Sequence, residues 1–222
     1  MQRDNEFIGQ NVQAKIQWAT PEIDQQILYI ARVSNPKNQH SGNTNLLAYL
    51  MRNGHVSPFE MANVCMEIET TRDIGRQILR HRSFSFQEFS QRYAVVESEA
   101  DLRECRMNDP KNRQNSIVCS DQETIAEWER LQRNIQKYCG AAYKAALEVG
   151  IAKEQARSLL PEGLTMSRLY MNGTVRSWIH YLKQRLDPTT QKEHREVAQA
   201  VLAELRTVAP ITMQAFFPKE ST

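Results

Sequence analysis

The sequence predicts an α+β fold, with a mixed or antiparallel sheet flanked by long helices, and not a Rossmann arrangement. Three observations predict it. Apolar residues alternate with a period of two in three short stretches and recur with a helical period in seven others, in irregular order. No G-x-G-x-x-G or Walker loop follows any of those strands. The 222 residues, 41% apolar and 24% charged, carry no repeat, low-complexity tract or Pro/Gly/Ser linker, so residues 1–222 read as one domain.

The elements follow in order. Residues 12–18 alternate apolar and polar and read as a strand. Thr20-Pro21 then looks like an N-cap with Pro at the first helical position, opening a helix through Ile23, Ile27, Ile30 and Ala31. Residues 43–51 form a second helix, ended near Asn53-Gly54. Residues 60–69 read as a strand with Val64, Met66 and Ile68 on one face. Thr70-Thr71 can cap a short helix over residues 72–80, with Ile74 and Ile78 inward. Residues 99–120 are polar and are expected to form an irregular, mobile loop. From Asp121 the spacing Ile125, Trp128, Leu131, Ile135, Tyr138, Ala142, Ala145, Val149 predicts a long helix, stopped by Gly150. A short helix covers residues 152–159, broken at Pro161, and residues 164–170 read as a strand. Two helices, 174–186 and 190–207, flank Asp187-Pro188.

Several classes of protein are excluded by what is missing. No apolar run approaches the roughly 20 residues of a bilayer-spanning helix. The start, Met1-Gln2-Arg3-Asp4-Asn5-Glu6, lacks the hydrophobic core of a signal peptide. Cys65, Cys105, Cys119 and Cys139 lie 40, 14 and 20 positions apart, too scattered for a zinc ribbon or a CxxC pair. They read as structural thiols of a reduced, cytoplasmic protein. His40, His55, His81, His180 and His194 form no H-x-x-x-H or H-E-x-x-H pair, so no metal site is expected; His194 reads as a structural histidine.

The net charge is only +2, but of the 28 basic residues 19 are Arg and 9 are Lys. Arginine presents a flat, permanently charged fork to carboxylate and phosphate, where lysine is a flexible point charge. The densest basic segment runs from Arg72 to Tyr93. In a helix over 72–80, Arg72, Arg76 and Arg80 fall at i, i+4 and i+8 on one face, where like charges repel unless an anion sits on them. Arg82 and Arg92 follow, interleaved with Ser83, Phe84, Ser85, Phe86, Phe89 and Ser90. An anionic ligand carrying a ring system suits that surface.

Arg80-His81-Arg82, seven residues, then Ser90, resembles the R-H-R-x7-S signature of the flavin-dependent thymidylate synthases. Gly54-His55-Val56-Ser57-Pro58-Phe59-Glu60 resembles the family's upstream G-H-x-[ST]-P-F-E element, and Ala156-Arg157-x-x-Leu160-Pro161 its A-R-x-x-L-P element. The block Arg176-Ser177 … Arg185-x-Asp187-x-x-x-Gln191-x-Glu193 is similar to its final helix pair. Four blocks in family order span residues 54–193. Where the family has N-x-R, this chain has Thr174-Val175-Arg176; Gln87 and Met61 also depart from the common pattern.

The resemblance implies methylation of dUMP to dTMP with 5,10-methylenetetrahydrofolate as carbon donor and FAD, reduced by NADPH, as hydride source. It implies that Gln77, Arg80, Glu88, Ser90, Gln91, Arg92, Arg157 and Arg185 hold the nucleotide. FAD would be held by Ser57, Arg80, His81, Arg82, Glu88, Thr174, Arg176 and His180, partly across subunits of a homotetramer. His55 and Tyr93 stand as flavin or folate contacts. Arg185 is the expected catalytic residue, facing the uracil and stabilising its ionised N3. The structural alternative for Arg185 is a helix-terminal cation paired with Asp187. The rival function is a single-stranded nucleic-acid binder, stacking bases on Phe84, Phe86, Phe89 and Tyr93. A charge of +2 is low for a binder driven by phosphate neutralisation, so neither nucleic acid nor membrane is expected as a partner.

Overall fold

The computed structural model describes residues 12–97 and 99–218. The opening stretch read for a signal peptide lies outside the described residues. In chain order the elements are β1 (Gln13–Ala19), α1 (Ile23–Ala31), α2 (Asn45–Arg52), β2 (Asn63–Thr71), α3 (Arg72–Ile78), β3 (Ser85–Glu88), β4 (Arg106–Asn108), β5 (Ser116–Val118), α4 (Gln122–Glu148), α5 (Lys153–Ala156), β6 (Met166–Thr174), α6 (Val175–Arg185), α7 (Lys192–Val208) and α8 (Pro210–Phe216).

Four strands form one sheet in the order β1-β2-β6-β3, every neighbouring pair antiparallel. The expected α+β class holds, in its antiparallel form. Alternation sets the two faces. Val64, Met66 and Ile68 of β2 and Leu169 and Met171 of β6 are fully buried. They pack in one cluster with Ile23 and Ile27 of α1, Ile74 and Ile78 of α3, Trp178 and Leu182 of α6, and Val197, Val201 and Leu205 of α7. The other face is polar and self-paired: Tyr170 Oη donates to Glu67 at 2.6 Å and Arg168 Nε to Glu69 at 2.7 Å. Among the described residues, no helix is long and apolar enough to cross a membrane.

Several boundaries differ from the sequence reading. Thr20 does not cap α1: its backbone N–H and its Oγ1 both pair with Asn63, each at 2.9 Å. Glu22, left-handed at φ 48°, stands at the helix entrance instead. Pro58 starts a 3-10 turn over Ser57–Met61, so β2 begins later than expected. β6 continues to Thr174, and α3 stops at Ile78, leaving Arg80 outside the helix. β3 and α8 were missed. Residues 99–120 are not wholly irregular: β4 and β5 form a hairpin within them. The segment is tied to α4 by Trp128 Nε1 donating to the Arg103 carbonyl at 2.9 Å and Gln136 Nε2 to that of Ala100 at 2.6 Å. Polar side chains on α4 satisfy backbone carbonyls there, so low hydrophobicity did not mean disorder.

Asp24 closes the fold. Its buried carboxylate accepts from the N–H groups of Ile211 and Thr212 at 2.9 and 3.0 Å and from Thr212 Oγ1 at 2.5 Å. It caps α8 from across the sequence. Asp24→Ala strands three donors and is expected to lower unfolding free energy by about 2–3 kcal/mol, read by urea denaturation. A midpoint shift within error would contradict this.

Candidate active site

The i, i+4 arginines of α3 are neutralised internally. Arg72 Nη1 lies 3.7 Å from Glu88 and Arg76 Nη1 3.5 Å, while Glu162 stands 3.7 Å from the Nε of each. Glu88 also accepts from Ser167 Oγ at 3.1 Å. The anion expected on this helix face is therefore the chain's own pair of carboxylates. Arg80, beyond the helix end, is exposed, as is Arg82; Arg157 is half-buried. None of these three has a carboxylate in salt-bridge range among the described residues.

Arg185, at the end of α6, donates from Nε to His81 Nε2 at 3.0 Å. Burial, reinforced by the charges of Arg185, His180 and Arg80, pushes the His81 pKa down to about 4, so the acceptor is neutral. Arg185 thus keeps a guanidinium with no carboxylate in salt-bridge range among the described residues. The alternative pairing with Asp187 does not form, because Asp187 caps the following turn through Thr189 N–H at 2.8 Å and Thr189 Oγ1 at 2.5 Å. The His81 ring stands edge-on to Tyr181 at 5.0 Å. Phe84 holds the Arg80–His81–Arg82 turn down: its ring packs 4.8 Å from that of Trp178 and lies over Gly173, where a Cβ would come within 2.4 Å of it. Phe84 is therefore a packing residue, which removes one of the rings needed for stacking bases.

His194 is buried too, with its pKa pushed down to about 3 by burial and then by Arg185 and His81. In the unfolded chain both histidines take up protons below about 6.5. In the folded chain they do so only near 4 and 3. Between those values the unfolded state binds more protons, so the stability these groups contribute is full above about pH 6.5 and is lost as pH falls. The melting temperature is expected to decline from about pH 6.5 downward, less steeply in a His81→Asn/His194→Asn variant; identical profiles would contradict the assignment.

A second group gathers at the start of α6. Thr174 caps it, its Oγ1 accepting from Ser177 N–H at 3.2 Å, and Ser177 Oγ donates to the Ser83 carbonyl at 3.1 Å. Arg176 pairs with Glu60, which brings the exposed Ser57 turn alongside. His180 lies 2.9 Å from Gln184 Nε2. Other expected residues lie apart. Arg92 is held by Glu154 at 3.2 Å, Tyr93 is 74% exposed, and exposed His55 stands edge-on to Tyr49. Ser90 is half-buried, its carbonyl accepting from the N–H groups of Tyr93 and Ala94. Gln91 is buried with its Nε2 unpaired. Clefts of about 510 and 460 Å³ are both lined by Val95, Val96, Glu97 and Glu99, and neither by Arg80 or Arg185.

The sequence reading missed one part of the site. Gln77, on α3, bonds to Gln191 and His194, and Glu193 beside them pairs with Arg106. More than a hundred positions separate Gln77 from its partners, so no spacing in the sequence signals the contact.

In this antiparallel α+β fold, guanidiniums with no carboxylate partner among the described residues gather near a neutral histidine, an arrangement chemically suited to an anionic ligand. Residues 15–211 match the family described as thymidylate synthase complementing protein, Thy1. The sequence is 51% identical over 174 residues to the flavin-dependent thymidylate synthase of Synechocystis sp., covering 78% of this chain and 80% of that one. It is 46% identical over 176 residues to the probable flavin-dependent thymidylate synthase of Paramecium bursaria Chlorella virus 1, covering 78% and 81%. The fold matches the UMP/dUMP methylase PolB of Streptomyces cacaoi, solved with 5-Br dUMP, at a TM-score of 0.81 and 27% identity over 92% of this chain and 94% of that one. The chain belongs to the flavin-dependent thymidylate synthase family.

Proposed function

We infer that this protein methylates carbon 5 of dUMP to give dTMP, using 5,10-methylenetetrahydrofolate as carbon donor and FAD reduced by NADPH. The observation that carries the reading is Arg185 held by neutral His81 in the family's signature segment, with Arg80, which has no carboxylate partner among the described residues, as a charge neighbour. Carbon 5 of uracil is a poor nucleophile, and a fixed cation beside N3 favours the electron-rich, deprotonated ring. Burial raises the pKa of Cys65 and Cys105, which disfavours their nucleophilic forms.

The residues present fit the groups the family uses. Among the described residues, Arg80, Arg82 and Arg157 offer guanidiniums without a carboxylate partner, and Gln91 offers a buried unpaired N–H. Reduced FAD, when bound, supplies the hydride that completes the methyl group. In this reading Gln77, Arg80, Glu88, Ser90, Gln91, Arg92 and Arg157 bind the nucleotide. Arg80 and Glu88 also serve the flavin site, with Ser57, His81, Arg82, Thr174, Arg176 and His180, and His55 and Tyr93 stand toward flavin or folate. Glu88 and Arg176 act there with their internal ion-pair partners attached. The same reading makes residues 1–222 one catalytic domain acting in the cytoplasm, in keeping with four free cysteines.

The active form in this account is a homotetramer with sites at subunit contacts. Support comes from α4, where Trp128, Leu131, Ile135 and Tyr138 form a stripe 38, 45, 46 and 69% exposed in the single chain. Such a stripe suits a helix face covered by another subunit. Light scattering on dilute protein is expected to give four chains; a stable monomer that retains FAD would contradict the assembly.

The reading is tested on purified protein by its spectrum and by NADPH oxidation. Yellow protein whose NADPH oxidation rises on adding dUMP supports it. A colourless protein that binds oligonucleotides with a steep salt dependence would favour the nucleic-acid rival.

A further inference from the structure

The hydrogen bonds joining α3 to the start of α7 run in one direction, and one end sets that direction. Arg106 pairs with Glu193, and Arg103 Nη1 approaches it at 3.8 Å. Burial pushes the Glu193 carboxyl up, but the hydrogen bonds and charge of Arg106 and its other partners outweigh that and hold it below the ordinary carboxylate range. An ionised carboxylate only accepts. Gln191 must therefore present its Nε2–H to Glu193, at 2.9 Å. Its Oε1 is left facing Gln77 Nε2, at 2.8 Å, so Gln77 is the donor there. Gln77 Oε1 then faces His194 Nδ1 at 3.2 Å. The His194 nitrogen must donate, and a neutral ring has one proton, so Nδ1 carries it. Nε2 is left as a buried acceptor without a partner. Reversing Gln77 would set two oxygens together at Gln191 or force Gln191 to turn an oxygen toward Glu193.

We propose that His194 is a positioning residue: its Nδ1–H holds the Gln77 carboxamide in the one orientation that Glu193 permits, leaving the second Nε2–H of Gln77 for an acceptor oxygen of the pyrimidine nucleotide. The proposal rests on the reading of Gln77 as a nucleotide contact. The alternative role for His194 is packing beside the rings of Tyr181 and His81, 5.8 and 6.4 Å away.

The test is dUMP binding by calorimetry on the flavin-loaded protein, with KM and kcat, for His194→Phe, His194→Asn, Gln77→Ala and the Gln77→Ala/His194→Phe pair. His194→Phe keeps a ring and removes the donor; His194→Leu replaces it in the series if the Phe variant does not retain flavin. Loss of one hydrogen-bonded orientation is expected to weaken dUMP binding and raise KM about tenfold, with kcat within about twofold and flavin content unchanged. His194→Asn, whose amide N–H can stand where Nδ1–H stood, is expected to recover most of that loss. Adding His194→Phe to Gln77→Ala is expected to weaken binding no further, because the two act through one contact.

Unchanged dUMP affinity in His194→Phe, beside a clear loss in Gln77→Ala, overturns the proposal and leaves the nucleotide reading of Gln77 standing. Additive losses without rescue by Asn overturn it in favour of packing. Unchanged affinity in Gln77→Ala shows that the reading of Gln77 itself is wrong, and the proposal falls with it.

Discussion

Arg185→Lys is expected to yield a folded, yellow protein that still binds dUMP and turns over at least about a hundredfold more slowly. Lysine keeps the charge and the interaction with the end of α6 but loses the planar fork. In the native chain that fork is aimed by Nε donation to His81, a neutral acceptor that orients the group without quenching its charge. An ammonium bonded to His81 keeps two N–H donors but cannot hold them as a fixed planar pair. The effect is therefore expected in kcat rather than in nucleotide affinity, by single-turnover and steady-state kinetics. Near-normal turnover would return Arg185 to a structural role at the helix end.

The second large effect separates the arginines of the signature. Arg80→Ala and Arg92→Ala are expected mainly to weaken dUMP binding, by about 1.5–3 kcal/mol, ten- to a hundredfold. Arg82→Ala is expected to shed flavin instead. Arg80 has no carboxylate to release among the described residues. Arg92 must leave Glu154, but that pair is exposed, at 53 and 48%, and such pairs contribute only about 0–1 kcal/mol. Exchange of Glu154 for a phosphate is thus cheap. Equal flavin loss in all three variants, with unchanged dUMP affinity, would contradict the division.

What was legible in the sequence follows from range. The stripe from Ile125 to Val149, the alternation in residues 60–69 and the Asp187-Pro188 break are local patterns, and α4, β2 and the α6–α7 turn follow them. β3 escaped notice because its four residues alternate Ser, Phe, Gln and Glu, a pattern also expected of a ligand loop. The three-residue strands β4 and β5 are too short for periodicity to show. α8 depends on a cap supplied by Asp24, 187 and 188 positions away.

The site divides in the same way. Arg80 and Arg82 stood out because charge density is written along the chain, and Arg185 because its block resembles the family's final helix pair. Glu162 neutralising α3, and His194 gripping Gln77, are products of tertiary packing. The repulsion between Arg72 and Arg76 was visible in advance, but not that the chain carries its own answer in Glu88 and Glu162.

The most direct measurement is the fate of the folate when dTMP is made. A methylene carbon needs two electrons to become a methyl group, and the source of those electrons separates the possible mechanisms. If reduced flavin supplies them, the folate leaves as tetrahydrofolate, and one NADPH is consumed per dTMP formed. That product and that ratio are the result expected here. Formation of dihydrofolate, with dTMP appearing without NADPH consumption, would mean that the folate itself is the reductant and would contradict the account.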